Sequence, residues 1–542
     1  MQKVLIKIIK QFIKSKPKNR EEISNIKRKI AGELKLAPPS NAKFFAAYQK
    51  LLRRKKIKRD EDLEMLLKKR EVRTLSGVAP IAVLTKPYPC PGKCAYCPTE
   101  KSVPQSYLSN EPAVMRAIAC GYDPYRQVTA RIKTLEANGH PTDKLELIVI
   151  GGTWSALPHR YQNWFIKRCF QAANDCGRQK TKIKRQKNLE KVQKENETAK
   201  HRIIGITLET RPDYITPEEI KRMRELGCTR VELGVQSIYN SILQRNCRGH
   251  NVSETILATK LLKDAGFKVC YHIMPNLPGA TLATDLKMFK EIFSNSDFEP
   301  DMIKIYPCVV TRGSKIWEWW KQGKYKPYSN KQLIDLLIKI KILIPPYVRI
   351  NRLIRDIPGT SIEAGNKISN LREVIQKEMK KRGLQCKCIR CREVGHSLTL
   401  KGGLRGALPS GRAQKPKLII RKYKSSGGTE YFISFESPDK KILYAFSRLR
   451  IPDFSTPPIF PELQDAALIR ELHTYGHLVP IDQSSRGATQ HTGLGKKLTA
   501  EAERIAQKLS IKKIAVISGI GVREYYKKLG YHLEETYMIK SL

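Results

Sequence analysis

The sequence predicts an α/β protein: a parallel sheet curled into a full or partial barrel, then a second and smaller α/β unit, with a basic helical region in front. Three observations carry this. From Val78 to about Pro358, short apolar runs alternate with longer stretches of helical periodicity. After a glycine-bearing basic stretch around residue 400, strand-like runs resume and close on helices. Residues 1–73 repeat apolar positions at helical spacing.

Length and charge set the frame. The chain has 542 residues, and at roughly 150 residues per domain that suggests three or four units. It carries 101 Lys and Arg against 51 Asp and Glu, a net charge of +50, with 41% hydrophobic residues, enough for packed cores. No apolar run approaches the roughly 18 residues of a membrane span, so a soluble protein without a membrane partner is expected.

Met1–Lys18 lacks the apolar core and small-residue cleavage site of a secretory signal, and Val4, Leu5, Ile8, Ile9 and Phe12 recur as on one helix face. Thirteen cysteines without such a signal point to a reducing, cytoplasmic setting and to metal binding rather than disulfides. Residues 1–73 hold 23 basic and 8 acidic side chains, favouring a polyanion surface. The Pro38-Pro39 pair marks a bend within them.

Residues 74–370 form the next unit. Its strands are read at Ile81–Leu84, Leu145–Ile150, Ile203–Leu208, Arg230–Val235, Val269–Met274 and Met302–Tyr306. Function in such a sheet sits on loops leaving the C-terminal strand ends. Arg178–Arg202, with ten basic and three acidic residues, reads as a solvated or disordered insertion. Residues 371–400 form a linker with a cysteine cluster, and Lys401–Lys424, with eight basic residues and no acid, a flexible basic linker or hairpin. The last unit, 401–542, is read as strands at Leu418–Arg421, Tyr431–Phe435, Ile442–Arg448 and Glu471–Val479, then helix Lys496–Leu509, strand Ile514–Ser518 and helix Val522–Leu529.

Three cysteines, Cys90, Cys94 and Cys97, lie on a Gly- and Pro-bearing loop just after the first barrel strand. At this spacing they reach three corners of one iron–sulfur cube and leave the fourth iron open. A structural zinc site is the competing reading, but the loop supplies no fourth ligand. Cys386, Cys388 and Cys391, three thiols within six residues on a basic loop, read as a zinc site. The nearest fourth ligand is His396, and a residue distant in sequence is an equal alternative. Gln490-His-Thr-Gly493-Leu494-Gly495 opens the helix near Lys496, and glycines at a strand-to-helix turn expose N–H groups to phosphate oxygens.

The Cys90–Cys97 spacing, with an aromatic before the last cysteine, resembles the radical S-adenosylmethionine superfamily. That resemblance implies a 4Fe-4S cluster whose open iron chelates S-adenosyl-L-methionine and reduces it to a 5′-deoxyadenosyl radical, with the cysteines as catalytic ligands. It also implies cofactor contacts from Gly151 and Gly152 after the second strand, Glu209 at the third and Gln236 after the fourth. Gln490, Gly493, Leu494, Gly495 and Lys496 resemble the acetyl-CoA loop of the GNAT acetyltransferase fold. Tyr525 and Tyr526, before a closing Gly530-Tyr531 turn, stand where that fold places a tyrosine that donates to the coenzyme thiolate or packs beneath it; the sequence leaves the two roles open.

The pairing, with Arg392-Glu393-Val394-Gly395 after the second cysteine cluster and Tyr122-Asp123-Pro124-Tyr125, resembles the Elongator catalytic subunit family. Thr492 departs from it, standing where many relatives carry a basic residue, with Lys496 and Lys497 close by. The resemblance implies a tRNA-modifying acyltransferase that adds a carboxymethyl group to carbon five of the wobble uridine, using acetyl-CoA and both metal sites. It implies tRNA as substrate, an external electron donor, and a homodimer or accessory subunits as partners to be tested. The alternative is a histone-type protein lysine acetyltransferase with a structural cluster; it predicts an acidic channel, whereas the approaches here are basic.

Overall fold

The computed structural model describes residues 2–38, 40–67, 76–176, 188–394, 416–476 and 493–542. Four helices come first: α1 (Gln2–Ser15), α2 (Arg20–Glu33), α3 (Asn41–Arg53) and α4 (Glu61–Leu67). Their apolar stripes meet in a core of their own that includes Ile8, Ile9, Phe12, Phe44 and Tyr48. The helix starts are set by short polar side chains: Asn19 accepts from the Glu22 N–H, and Ser40, after the Pro38 bend, from that of Lys43.

Seven parallel strands follow in the order β1 to β7: Ala79–Leu84, Lys144–Ile150, Arg202–Thr210, Arg230–Gln236, Lys268–Ile273, Met302–Ile305 and Arg349–Arg352. Each pairs with its sequence neighbours and β1 is not paired with β7, so the barrel is partial and open along that seam. Helices cover the outside, and the space between them and the strands is filled by Val, Ile, Leu and Phe. β7 is an addition to the six strands read from the sequence.

The expected insertion at Arg178–Arg202 is corrected in its second half. Leu189–Asn196 is a helix that buries Val192, and the Asn196 side chain donates to Asn174 and to the His201 carbonyl while accepting from the Ile203 N–H. Residues 177–187 lie outside the described residues, as do 395–415, which include most of the expected basic linker.

The second sheet has the order β13-β14-β12-β11-β10-β9-β8. Its strands are β8 (Lys417–Ser425), β9 (Gly428–Glu436), β10 (Leu443–Ile451), β11 (Ala466–Thr474), β12 (Lys513–Val516), β13 (His532–Glu534) and β14 (Tyr537–Ser541). All neighbours are antiparallel except β11 and β12, which run parallel from Ala466–Lys513 to Ile469–Val516 and then diverge. The strand expected at Glu471–Val479 begins earlier, at Ala466, and ends at Thr474. The closing helix is shorter than expected, Arg523–Lys527.

This sheet sits against the N-terminal ends of the barrel strands. A Cβ on Gly519 would lie 2.1 Å from the Ile204 carbonyl oxygen, and one on Gly521 2.7 Å from the Arg202 Cβ, so backbone packs directly on β3. Buried arginines complete the joint: Arg470 and Arg448 of the sheet reach Asp301, and Arg450 reaches Asp264.

Candidate active site

The loop leaving β1 is pinned from three sides. The Thr85 N–H donates to the Ile150 carbonyl at 3.0 Å, that of Ala95 to Asn246 at 2.9 Å, and that of Ile316 to Ala95 at 3.0 Å. Between these anchors Cys94 and Cys97 close a turn, with a 3.1 Å bond from the Cys97 N–H to the Cys94 carbonyl. Gly92 is closely packed here: a Cβ would stand 2.6 Å from the end of the Arg211 guanidinium, which would have to shift, and within 3.7 Å of the Cys90 and Cys94 sulfurs. A hydrogen bond from Cys97, reinforced by Arg248 with its Nη1 3.6 Å from the sulfur, draws the Cys94 thiol down to about 5; the same bond raises Cys97. A thiolate-bound soft metal is what this donor set accepts.

The other expected cofactor residues surround that loop. Gly151 and Gly152 adopt φ of +130° and +87°, and a Cβ on Gly151 would lie 2.2 Å from the Thr85 hydroxyl, so only glycine lets β1 and β2 end side by side. Gln236 takes a left-handed φ of 68° at the end of β4. Its Oε1 and one Arg211 nitrogen are buried without a hydrogen-bond partner among the described residues, while the buried Tyr96 hydroxyl is turned to the Cys94 sulfur. Unpaired buried polar atoms of this kind mark the place of a polar ligand.

Glu209 faces inward and meets His272 Nδ1 at 3.3 Å; His272 Nε2 meets Glu232 at 2.9 Å, and Lys304 also pairs with Glu232. Burial alone would raise the Glu232 carboxyl, but Lys304 and His272 hold it well below the carboxylate range. Burial and Lys304 push His272 down, yet the two carboxylates leave it above its ordinary value. Lower in the barrel Arg230 pairs with Glu146 at 2.5 Å. The sequence reading missed His272, Glu232, Lys304, Arg230 and Arg248. A signal was there: Arg230, Glu232 and Gln236 break the apolar run of β4 at inward positions.

In the second sheet's unit, Gly493 caps the helix Leu494–Lys508 with φ 81°. A Cβ on Gly495 would lie 2.8 Å from the Tyr525 hydroxyl, which is buried beside this helix start with no hydrogen-bond partner of ordinary geometry among the described residues. Tyr526 instead packs into the core against Tyr531, ring centroids 5.8 Å apart. Lys496 is exposed at the helix start. Gln490 and Thr492 lie outside the described residues.

The Cys386, Cys388 and Cys391 sulfurs all lie within 4.8 Å of one another, close enough for one ion. Lys341 stands 3.6 Å from the Cys391 sulfur. His396 lies outside the described residues.

One cavity of about 1400 Å³ runs from the cysteine loop through the barrel to the second unit. Tyr96 and Gln236 line it at the cysteine loop, Glu209, Glu232 and His272 inside the barrel, and Gly493, Gly495 and Tyr525 at the second unit. A partial barrel with a three-cysteine loop after β1 defines a radical S-adenosylmethionine protein, and that superfamily's profile matches residues 87–292, with the radical SAM C-terminal domain at 300–381.

Full-length relatives narrow the class. The chain is 46% identical to a tRNA uridine(34) acetyltransferase of Methanocaldococcus infernus, over 100% of this chain and 99% of that one. It is 39% identical to human Elongator complex protein 3, over 99% and 96%. The solved structure of the archaeal Methanocaldococcus infernus Elp3 with an N-terminal deletion superposes with a TM-score of 0.74 at 46% identity, covering 86% of this chain and all of that one. The chain therefore belongs to the Elongator complex protein 3/tRNA uridine(34) acetyltransferase family.

Proposed function

We propose that the chain modifies uridine 34 of tRNA, joining an acetyl-CoA-derived carboxymethyl group to carbon five of the base. The observation that carries this is the shared cavity: the cysteine loop and the glycine-capped helix open onto one space, as a reaction drawing on two cofactors requires. Cys90, Cys94 and Cys97 would hold a 4Fe-4S cluster, which supplies one-electron cleavage of S-adenosyl-L-methionine when bound.

The chain's own residues do the rest. Gly151 and Gly152 present backbone to the cofactor, Gln236 offers it an unpaired polar atom, and Glu209 is oriented by His272. The N–H groups at Gly493–Lys496 receive the coenzyme's pyrophosphate, and the Tyr525 hydroxyl stands over them. Cys386, Cys388 and Cys391 hold zinc in a structural role. The basic helices α1–α4 supply sequence-blind affinity for the tRNA backbone, and an external donor supplies the electron. The setting is cytoplasmic.

The test is nucleoside mass analysis of tRNA incubated anaerobically with the iron-loaded chain, a reductant and both cofactors. A carboxymethylated uridine that disappears in Cys94→Ala supports the reading. Acetylation of histone-tail lysines in place of tRNA would instead support a protein acetyltransferase.

A further inference from the structure

We propose that the outer face of the helix Lys315–Lys321 and the turn after it dock a small acidic electron-carrier protein, which hands one electron to the cluster on the cysteine loop. The proposal rests on the cluster reading above and adds where the external donor lands.

The starting point is that the cysteine loop has two sides. Tyr96 and Pro98 line the cavity. Ala95 and Thr99 are tied instead to the segment after β6: the Ile316 N–H donates to the Ala95 carbonyl at 3.0 Å, and the Thr99 N–H to that of Gly313 at 3.2 Å. Thr311 still touches the cavity, whereas residues 312–331 line no part of it. Substrate and cofactors therefore share one side of the loop, and the helix backs the other. Ala95 follows Cys94 directly, so the first turn of the helix lies within roughly 15 Å of that cysteine by the path through the Ala95 bond.

The backing helix presents a cationic face. Thr311–Lys331 holds six basic residues and one acid. Arg312 pairs with Glu363 at 2.6 Å, but Lys315, Lys321, Lys324, Lys326 and Lys331 are exposed and make no ion pair among the described residues. Trp317, Trp319 and Trp320 are half-buried between them, packed on a core that includes Ala95, Ile242, Val310 and Tyr325. Lys321 Nζ lies 3.7 Å from the centre of the Trp317 ring, and Lys315 Nζ 5.6 Å from that of Trp319.

An apolar centre within a charged rim is the anatomy of a protein contact, and uncompensated cations steer an acidic partner. RNA is the competing polyanion. It must bring its target base into the cavity, which this face does not line, and two of the three indoles already carry lysines where a base would stack. A patch set by one seven-residue helix and a turn suits the small, transient interfaces of electron-transfer pairs. The electron moves without other chemistry: the carrier's reduced centre loses one electron, the cluster gains it, and no bond or proton changes place.

The experiment mixes the iron-loaded chain anaerobically with flavodoxin hydroquinone, an acidic one-electron carrier, and follows the semiquinone that oxidation leaves by stopped-flow absorbance. Lys321→Glu/Lys324→Glu/Lys326→Glu should lower the second-order rate at least tenfold at low ionic strength, with dithionite reduction and tRNA binding within twofold of wild type. Flavodoxin reducing both chains at one rate overturns the proposal, as does a variant that keeps that rate and loses tRNA affinity.

Zero-length cross-linking of the wild-type chain to flavodoxin, mapped by mass spectrometry, needs no variant. Lys321, Lys324 or Lys326 should join flavodoxin carboxylates; cross-links confined to residues 1–73 overturn the proposal. Calorimetry on the iron-free chain separates the docking face from the cluster. Flavodoxin bound at least tenfold more weakly by the variant, in a chain whose iron takes no electron, would keep the face and remove the cluster reading; equal binding with a reducible cluster would do the reverse.

Discussion

Arg470 and Asp301 form a bidentate ion pair, 2.8 and 2.6 Å, with both side chains fully buried between the second sheet and the barrel. Asp301 also meets Arg448 at 3.6 Å and accepts from the Val269 N–H at 2.8 Å. Asp301→Ala would leave two buried guanidinium groups short of a partner. The expected loss is about 3–5 kcal/mol, read by denaturant unfolding. An unchanged unfolding midpoint would show that the joint does not depend on this carboxylate.

Gly151 makes a sharper test of the cofactor region. In Gly151→Ala, the new methyl group must displace the Thr85 hydroxyl, and the backbone keeps a φ of +130° that alanine resists. A stability loss of about 2 kcal/mol is expected, together with at least tenfold weaker S-adenosylmethionine binding by calorimetry. Gly152→Ala meets no atom within 4 Å and should cost less, through its φ of +87° alone.

The two neighbouring tyrosines should separate. Tyr525→Phe removes the hydroxyl beside the helix start and should slow acetyl-CoA turnover about tenfold, near 1.4 kcal/mol. Tyr526→Phe should stay within twofold, whereas Tyr526→Ala should cost about 3–5 kcal/mol of stability by emptying a core position. Matching kinetic losses in the two phenylalanine variants would remove the distinction.

Asp285 gives a pH signature. Burial pushes its carboxyl up to about 6, although it accepts from the Asn276 N–H at 2.7 Å and the Tyr328 hydroxyl at 2.9 Å. The folded protein therefore holds this proton more tightly than the unfolded chain. Its contribution is fully present below the unfolded value near 4 and is lost as pH rises through about 6. The melting temperature of wild type relative to Asp285→Asn should thus fall between pH 4 and 7. A constant difference would refute the assignment.

Zinc removal tests the second cysteine cluster. Metal analysis should give one zinc per chain, lost in Cys388→Ser, and a chelator should lower the melting temperature without altering the iron loaded on Cys90, Cys94 and Cys97.

The first six barrel strands were legible because each is an apolar run set between helical stretches. β7 was not: Arg-Ile-Asn-Arg is four residues with one apolar side chain, and its place is fixed by pairing with β6 rather than by its own pattern. β13, His-Leu-Glu, is exposed throughout and exists only as the partner of β14. The cysteine and glycine positions proposed for the site stand out in the sequence because their spacing is local. His272 and Lys304 meet on neighbouring strands far apart in sequence, Arg248 reaches Cys94 from a loop, and only the folded barrel shows that His272 stands between two carboxylates. The half-helical stretch after residue 188 was misread because its charge hid the few side chains, Val192 and Asn196, that tie it down.

Gly519 and Gly521, lying flat on the backbone of β3, also limit how this architecture can be rebuilt. A foreign coenzyme-binding module grafted onto the barrel would need a bare backbone at the same two points, or its first side chain would lift it off the strand ends. The two halves are thus interchangeable only as a matched set, and a chimaera that restores both glycines should dock where one lacking them remains a pair of tethered, independent domains.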